Sequence, residues 1–123
     1  MDERVRQALA RDRTIDITTT GRTSGRPRRI ETWCYRVDDQ VYLTGLPGRR
    51  DWYANLLANR DFTVHLKGSV AADLPARANP VTDPHTRRAI LVPILRELGR
   101  SGDLEAWIAG SPLVAVRFDG VDG

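Results

Sequence analysis

The stretch that most constrains the fold is DITTTGRTSGRPRR at residues 16–29, which predicts a strand, a loop and the start of a second strand. Ile15 and Ile17 alternate with polar neighbours and lead into three threonines, a pattern that predicts a β-strand. Two glycines and a proline then predict a loop, and a second strand begins directly after it. The chain is therefore expected to open its sheet with a hairpin whose loop is held at a fixed position.

The loop of this hairpin has the composition of an anion-binding segment. Glycines allow several backbone N–H groups to converge on one anion, and the loop and its flanks carry four arginines. The guanidinium group donates in a forked geometry that matches phosphate and carboxylate oxygens. A binding loop for a phosphate-bearing cofactor and a long solvated hairpin loop are both compatible with this composition.

A second basic loop, GLPGRR at residues 45–50, follows the third predicted strand. We interpret Asp51 as the N-cap of a helix whose apolar stripe continues to Asn59. The start of a helix favours a bound anion, because free N–H groups and the helix dipole point there. Since the two basic loops each leave a strand, we expect them to meet at one rim of the sheet.

The remaining pattern predicts an α+β fold, a small barrel of about six mostly antiparallel strands with peripheral helices. Further strands are expected at residues 28–37, 40–44, 62–67, 70–78 and 113–118, the fourth of these being an edge or a bulge at Pro75. Helices are expected at residues 1–11, from Asp83 onward, and around Trp107. We expect one domain over residues 1–123, with an N-terminal helix at 1–12 and the barrel at 15–119.

Charge, apolar runs and cysteine content narrow the range of ligands and cellular locations that the sequence allows. The formal charge is +3, and the excess lies in residues 1–29, which hold eight arginines and four acids. This favours a small anionic ligand and argues against nucleic acid as a partner. No apolar run approaches the roughly 20 residues that span a bilayer, and no signal peptide is apparent. The single cysteine, Cys34, excludes an internal disulfide, so we expect a cytoplasmic protein.

Side chains on the predicted strands leave some roles open. Trp33 and Tyr35 share one face of a strand, where they could form an aromatic wall for a planar ligand or belong to the core. Cys34 has no neighbouring base and is interpreted as structural. His65 falls on the polar face of its strand and is interpreted as an incidental surface residue. We expect no catalytic side chain and no metal ligand.

Two segments carry a resemblance to a known family. TTTGRTSGRPR at residues 18–28, followed by Trp33, resembles the opening of an actinobacterial family of deazaflavin-dependent nitroreductases and quinone reductases. DWYANLLAN at residues 51–59 is similar to its second signature. The resemblance implies a flavin-binding split β-barrel and coenzyme F-420, an 8-hydroxy-5-deazaflavin with a phosphodiester and an oligoglutamate tail. Because the deazaflavin ring carries the hydride, the protein needs only to bind and orient it.

The resemblance also implies site residues, with departures. The anion contacts of the family fall on Arg22, Ser24 and Arg28, the aromatic wall on Trp33, and the cofactor helix on Trp52 and Tyr53. Thr23 replaces a frequent lysine, and the loop at 46–50 is short, so we expect Arg49 and Arg50 to supply the missing charge. Residues 98–107 contain none of the tyrosines that serve the substrate in family nitroreductases.

The expected function is an oxidoreductase that transfers a hydride from reduced deazaflavin to a small-molecule electron acceptor such as a quinone, nitro compound or activated alkene. An FMN-dependent reductase and a non-catalytic carrier of deazaflavin or a hydrophobic ligand are the alternatives, and a homodimer is compatible with the fold. Trp33 and Trp107 are expected to bound the acceptor pocket. The expected cofactor-binding residues are Arg22, Thr23, Ser24, Arg28, Leu46, Gly48, Arg49, Arg50, Trp52 and Tyr53.

Overall fold

A computed structural model describes residues 1–119 of the chain. It contains four α-helices, six β-strands and one short 3-10 turn at Ser101–Asp103. The elements are α1 Glu3–Arg11, β1 Thr14–Thr20, β2 Pro27–Val37, β3 Gln40–Thr44, α2 Asp51–Ala58, β4 Asp61–Lys67, β5 Ala71–Pro80, α3 Pro84–Leu98, α4 Leu104–Gly110 and β6 Leu113–Phe118. Residues 120–123 of the expected domain lie outside the described part.

The six strands form one closed antiparallel barrel in the order β1-β2-β3-β6-β5-β4. Three neighbouring pairs are hairpins, and the barrel closes through pairing of β1 with β4, β3 with β6 and β5 with β6. The predicted α+β split barrel is confirmed. The expected edge at Pro75 is wrong, because β5 pairs with strands on both sides. Pro75 lies just beyond the β6 ladder, which begins at Ala76, so its missing N–H breaks no bond there.

The alternation along each strand produces two apolar clusters. Cys34, Ile17 and Leu43 point into the barrel with the residues of the first cluster. Tyr35, the neighbour of Cys34, points to the outside and is covered by α3 and α4 in the second cluster. A strand whose two faces are both covered explains why Cys34 and Tyr35 are both buried.

The helices begin and end at residues that suit those positions. The Asp83 side chain accepts a hydrogen bond from the Thr86 N–H, and Pro84 occupies the first turn of α3, as predicted. Gly99 ends α3 with φ of 70°, the left-handed conformation that glycine adopts without strain. Within residues 1–119, no helix has both the length and the apolar composition that crossing a membrane requires.

Candidate functional site

The loop between β1 and β2 is a compact turn held by its own hydrogen bonds. The Gly21 N–H donates to Arg26 O at 2.8 Å, and the Gly25 N–H donates to Gly21 O at 2.8 Å. Ser24 Oγ accepts from the Arg26 N–H at 3.1 Å. A Cβ on Gly21 would lie 2.5 Å from Ser24 Oγ, and Gly25 has φ of 71°, so each glycine is required for a different reason.

Asn55 attaches this loop to helix α2. Its Oδ1 accepts from the Arg22 backbone N–H at 3.1 Å and from Arg22 Nη1 at 2.9 Å. Its Nδ2 donates to Thr19 Oγ1 at 3.1 Å, and both Asn55 and Thr19 are buried. Arg22 Nη2 reaches Asp51 Oδ1 at 3.2 Å. The loop therefore keeps a fixed position relative to the start of α2.

A cavity of about 240 Å³ opens between the loop and α2, and we name it the loop cavity. Four of the predicted cofactor-binding residues line it, namely Arg22, Thr23, Ser24 and Arg28. Arg28 lies opposite Thr19 in the hairpin, and within residues 1–119 its guanidinium has no acidic partner. Arg22 is partly neutralised by Asp51, so Arg28 provides most of the free positive charge.

A second cavity of about 400 Å³, the rim cavity, lies between β2, the end of β3 and α2. Among its lining residues are Ile30, Trp33 and Leu46, which are 36%, 37% and 40% exposed and belong to the few large apolar side chains that the described fold leaves exposed. Arg50 and Trp52, two further predicted site residues, also line it. The rim cavity thus combines an apolar surface with one arginine and two acidic residues, Glu31 and Asp51.

Asp51 lines both cavities, so the loop cavity and the rim cavity are neighbours. Arg28 borders one and Arg50 the other, so the structure brings the two basic loops to the same region of the barrel rim. The prediction of Asp51 as the N-cap of α2 is wrong. Arg50 occupies the cap position, and the Asp51 carboxylate, already inside the helix, pairs with Arg22 instead.

Gly48, Arg49 and Tyr53 were predicted together with these residues, but they line a different cavity on the far side of the 46–50 loop. Within this loop Arg50 folds back, so that its Nη1 donates to Arg49 O at 2.9 Å and its Nη2 to Leu46 O at 3.0 Å. The Gly48 N–H donates to Gly110 O at 3.0 Å. The loop therefore separates this cavity from the rim cavity, and the ten predicted cofactor residues divide among three cavities.

The expectation that Trp107 bounds the acceptor pocket is wrong. Its side chain is 1% exposed and packs among the residues of the second apolar cluster, beneath α3. The short helix α4 presents other residues, Ile108 and Ala109, to the cavity on the far side of the 46–50 loop. Burial of the large indole is the reason, since it contributes to the packing of α4 on the barrel.

The interpretation of His65 as an incidental surface residue is also wrong. It is 8% exposed, its Nε2 lies 2.6 Å from Thr18 Oγ1, and its Nδ1 lies 2.7 Å from Asp73 Oδ1. The hydrogen bond from His65 lowers the pKa of Asp73. The alternation placed His65 on the correct outer face, but the hydrogen bonds to neighbouring strands were not visible in a single strand.

Cys34 lies beside Trp33 on β2 and has no access to the rim cavity. The thiol donates to Asp12 O at 3.2 Å. Burial raises its pKa from 9.0 to about 11, and the Asp12 carboxylate adds to this while Arg13 opposes it. The thiol is therefore uncharged at neutral pH and unsuited to nucleophilic chemistry, which agrees with its predicted structural role.

The closed six-stranded barrel with helices around it defines a small α+β split barrel, with adjoining cavities at its rim. The sequence profile of a family described as F420H(2)-dependent quinone reductase matches residues 3–103, and the chain belongs to this family. The protein is therefore an oxidoreductase, and the cofactor of its family is coenzyme F-420. No curated protein gives a significant sequence match.

Solved structures are similar in fold at low identity. A conserved hypothetical protein from Mycobacterium tuberculosis has a TM-score of 0.77 and 14% identity, over 97% of this chain and 81% of the other. A proposed 5-nitroimidazole antibiotic resistance protein from Bacteroides thetaiotaomicron has a TM-score of 0.72 and 14% identity, over 97% and 80%. An FAD-binding protein from Mesorhizobium loti has a TM-score of 0.69 and 14% identity, over 97% and 90%. At these identities the similarity shows the fold alone.

Proposed function

We propose that the deazaflavin ring of coenzyme F-420 binds in the rim cavity and that its phosphodiester binds in the loop cavity. The observation that carries this proposal is that Asp51 lines both cavities, so a largely apolar surface and a cationic one adjoin at the rim. A cofactor with a planar ring and a polyanionic tail has the same division into an apolar and a charged part.

The residues present fit such a cofactor. Arg28 offers a guanidinium without an acidic partner within residues 1–119, and Arg22 is held toward the loop cavity by Asn55. Trp33, Ile30 and Leu46 offer an apolar surface to the ring. Arg50 lines the rim cavity, and its guanidinium also keeps the 46–50 loop closed through Leu46 O.

When bound, the reduced deazaflavin supplies the hydride, and the side chains orient it and exclude water from one of its faces. The acceptor we propose is a small electrophile, with a quinone as the first candidate and a nitro compound or an activated alkene as further ones. Within residues 1–119 no tyrosine or histidine lines the rim cavity. The proton that accompanies the hydride would come from solvent or from Glu31 or Asp51, the carboxyl groups that line the rim cavity.

The test is a titration of reduced F-420 into the wild type and the Arg28→Gln variant. A charge-assisted contact contributes roughly 1.5–3 kcal/mol, so the dissociation constant should rise about ten- to a hundredfold. Arg26→Gln is the matched control, because Arg26 is an exposed arginine on the same loop whose side chain makes no described contact. Equal dissociation constants for the wild type and Arg28→Gln would discard the assignment.

The non-catalytic carrier is the second candidate, because α4 presents no phenol to the rim cavity or to the loop cavity. Single-turnover oxidation of the bound reduced cofactor by menadione distinguishes the two. A reductase oxidises it faster than the free cofactor is oxidised, whereas a carrier does not. Incubation with FMN in parallel tests the remaining cofactor alternative by absorbance.

Two further expectations belong to this proposal. A cytoplasmic location is consistent with the single cysteine being a buried thiol. A homodimer is suggested by a related barrel described as a domain-swapped dimer, with a TM-score of 0.64 and 19% identity over 94% of this chain and 92% of the other. Light scattering of the purified protein measures the oligomeric state.

A further inference from the structure

We propose that the cavity beyond the 46–50 loop binds a small organic anion, with a carboxylate or phosphate head group on a short apolar body. This cavity, named the helix cavity, has a volume of about 660 Å³ and lies between α2, α3 and the end of α4. Its position separates it from the proposed cofactor site, and the proposal does not depend on the identity of that cofactor.

The first observation is a buried arginine without an anion. Arg87 on α3 is 7% exposed, and its guanidinium donates to four backbone carbonyls at 2.6–3.0 Å, those of Ile108, Val81, Trp107 and Ser111. Carbonyl oxygens satisfy these donors but carry no full negative charge. Within residues 1–119 no carboxylate pairs with Arg87, and four of its five N–H groups are used. One donor therefore has no partner in the described chain, and Arg87 is among the residues that line the cavity.

The second observation is an unpartnered hydroxyl. Ser111 is 5% exposed and lines the helix cavity, and its Oγ has no hydrogen-bond partner within residues 1–119. A buried polar group without a partner costs free energy, and native proteins contain few of them. Ser111 also gives its carbonyl to Arg87, so the unpartnered hydroxyl and the guanidinium belong to the same part of the cavity wall.

The third observation concerns the rest of the wall. The side chains of Arg49 and Tyr53 border the cavity, and none of its lining residues is an aspartate or a glutamate. The rim cavity, by comparison, is bordered by Glu31 and Asp51. The remaining wall is largely apolar, with Val81, Pro84, Ile108 and Pro112. Cationic and hydroxyl donors beside apolar carbon select an anion that carries an apolar body.

The experiment is isothermal titration of the protein, free of cofactor, with benzoate, phenyl phosphate and inorganic phosphate. We expect at least one organic probe to bind more tightly than inorganic phosphate. Tighter binding of benzoate assigns a carboxylate, and tighter binding of phenyl phosphate assigns a phosphate ester. Inorganic phosphate binding as tightly as both, or no binding of any probe below about 10 mM, overturns the proposal.

Two variants test whether the probe binds in the helix cavity. Ser111→Ala and Arg49→Gln should each raise its dissociation constant about tenfold, the loss of one hydrogen bond to a charged group. Arg96→Gln removes the same charge from an exposed position on α3 and should leave the constant unchanged. If Arg28→Gln weakens binding while Arg49→Gln does not, the probe occupies the loop cavity and the proposal is wrong.

Thermal unfolding without ligand separates a binding role of Ser111 from a structural one. A hydroxyl that makes no internal hydrogen bond gives no stability, so Ser111→Ala should unfold at the wild-type temperature or above it. A clear fall in that temperature together with unchanged probe affinity overturns the role given to this residue. Arg87 is not varied, because it joins four carbonyls and its removal tests folding.

Discussion

Asn55 Oδ1 accepts two hydrogen bonds from Arg22, one from the backbone N–H and one from the guanidinium. A single buried amide thus fixes both the path of the loop and the direction of its first arginine. The same amide donates to Thr19 on β1, so helix, strand and loop meet at one side chain. The geometry of the proposed phosphodiester site therefore depends on Asn55, which itself lines the loop cavity.

Replacing Asn55 should affect both stability and binding. Asn55→Ala leaves the Arg22 N–H and the Thr19 hydroxyl without this partner, and we expect a loss of about 1–3 kcal/mol in the free energy of unfolding. Urea unfolding and F-420 titration measure the two effects. Asn59→Ala is the control just after the same helix, since Asn59 is exposed and its side chain accepts from the Asp61 N–H, away from the loop. Equal stabilities of the Asn55→Ala and Asn59→Ala variants would contradict the prediction.

Gly21 should not tolerate a side chain. In Gly21→Ala the new Cβ would lie 2.5 Å from Ser24 Oγ and 3.3 Å from Arg26 O, so the turn must shift. We expect a loss of roughly 1–3 kcal/mol and weaker cofactor binding. Gly102→Ala is the control, because nothing lies within 4 Å of its new Cβ and Gly102 borders neither cofactor cavity. Combining Gly21→Ala with Ser24→Ala removes the hydroxyl that clashes, and failure of the pair to recover any stability would count against this explanation.

Trp33 should contribute to binding through contact with the ring. Trp33→Ala removes the largest apolar side chain that lines the rim cavity with substantial exposure, and we expect the dissociation constant of F-420 to rise about three- to tenfold. Trp33→Phe should retain most of the affinity. Leu57→Ala is the control, because Leu57 is 49% exposed and outside the cofactor cavities. An unchanged constant in Trp33→Ala places the ring elsewhere.

Cys34 should make stability fall at alkaline pH. The thiol has a pKa of about 11 in the folded protein and 9.0 as its ordinary value, so between these values only the unfolded chain loses the proton. Its contribution is fully present below pH 9 and is lost as the pH rises through 11, by about 2 kcal/mol at pH 10.5. Urea unfolding of the wild type and Cys34→Ala at pH 8 and pH 10.5 measures it. The wild type should lose more stability than the variant, and parallel losses would refute the prediction.

Local patterns predict the elements of this fold well. β3 at 40–44 and β6 at 113–118 occupy the predicted ranges, and the order of helices and strands agrees throughout the described chain. These features depend on alternation, on turn residues such as Asp38 and Asp39 with positive φ, and on the Asp83-Pro84 helix start. Each can be seen in a window of a few residues.

The contents of the site were harder to predict, because they depend on contacts between distant segments. Asn55 looks like an ordinary helical residue until the loop carrying Arg22 packs on it, 33 residues away in the chain. Trp107 is an aromatic residue of the kind that often lines a pocket, but in this fold it packs in the second apolar cluster. Ser111 and Arg87 carry no motif, and only their shared burial beside a cavity makes them candidates.

The 46–50 loop has one side on each of two compartments, with Arg50 facing one and its neighbour Arg49 the other. Ligands in the rim cavity and the helix cavity would both contact this loop. Thermodynamic linkage requires that each ligand change the binding affinity of the other by the same factor. An anion that strengthened F-420 binding would itself be held more tightly by the protein loaded with F-420. The 46–50 loop would then couple the concentration of the anion in the helix cavity to the binding of F-420 in the rim cavity.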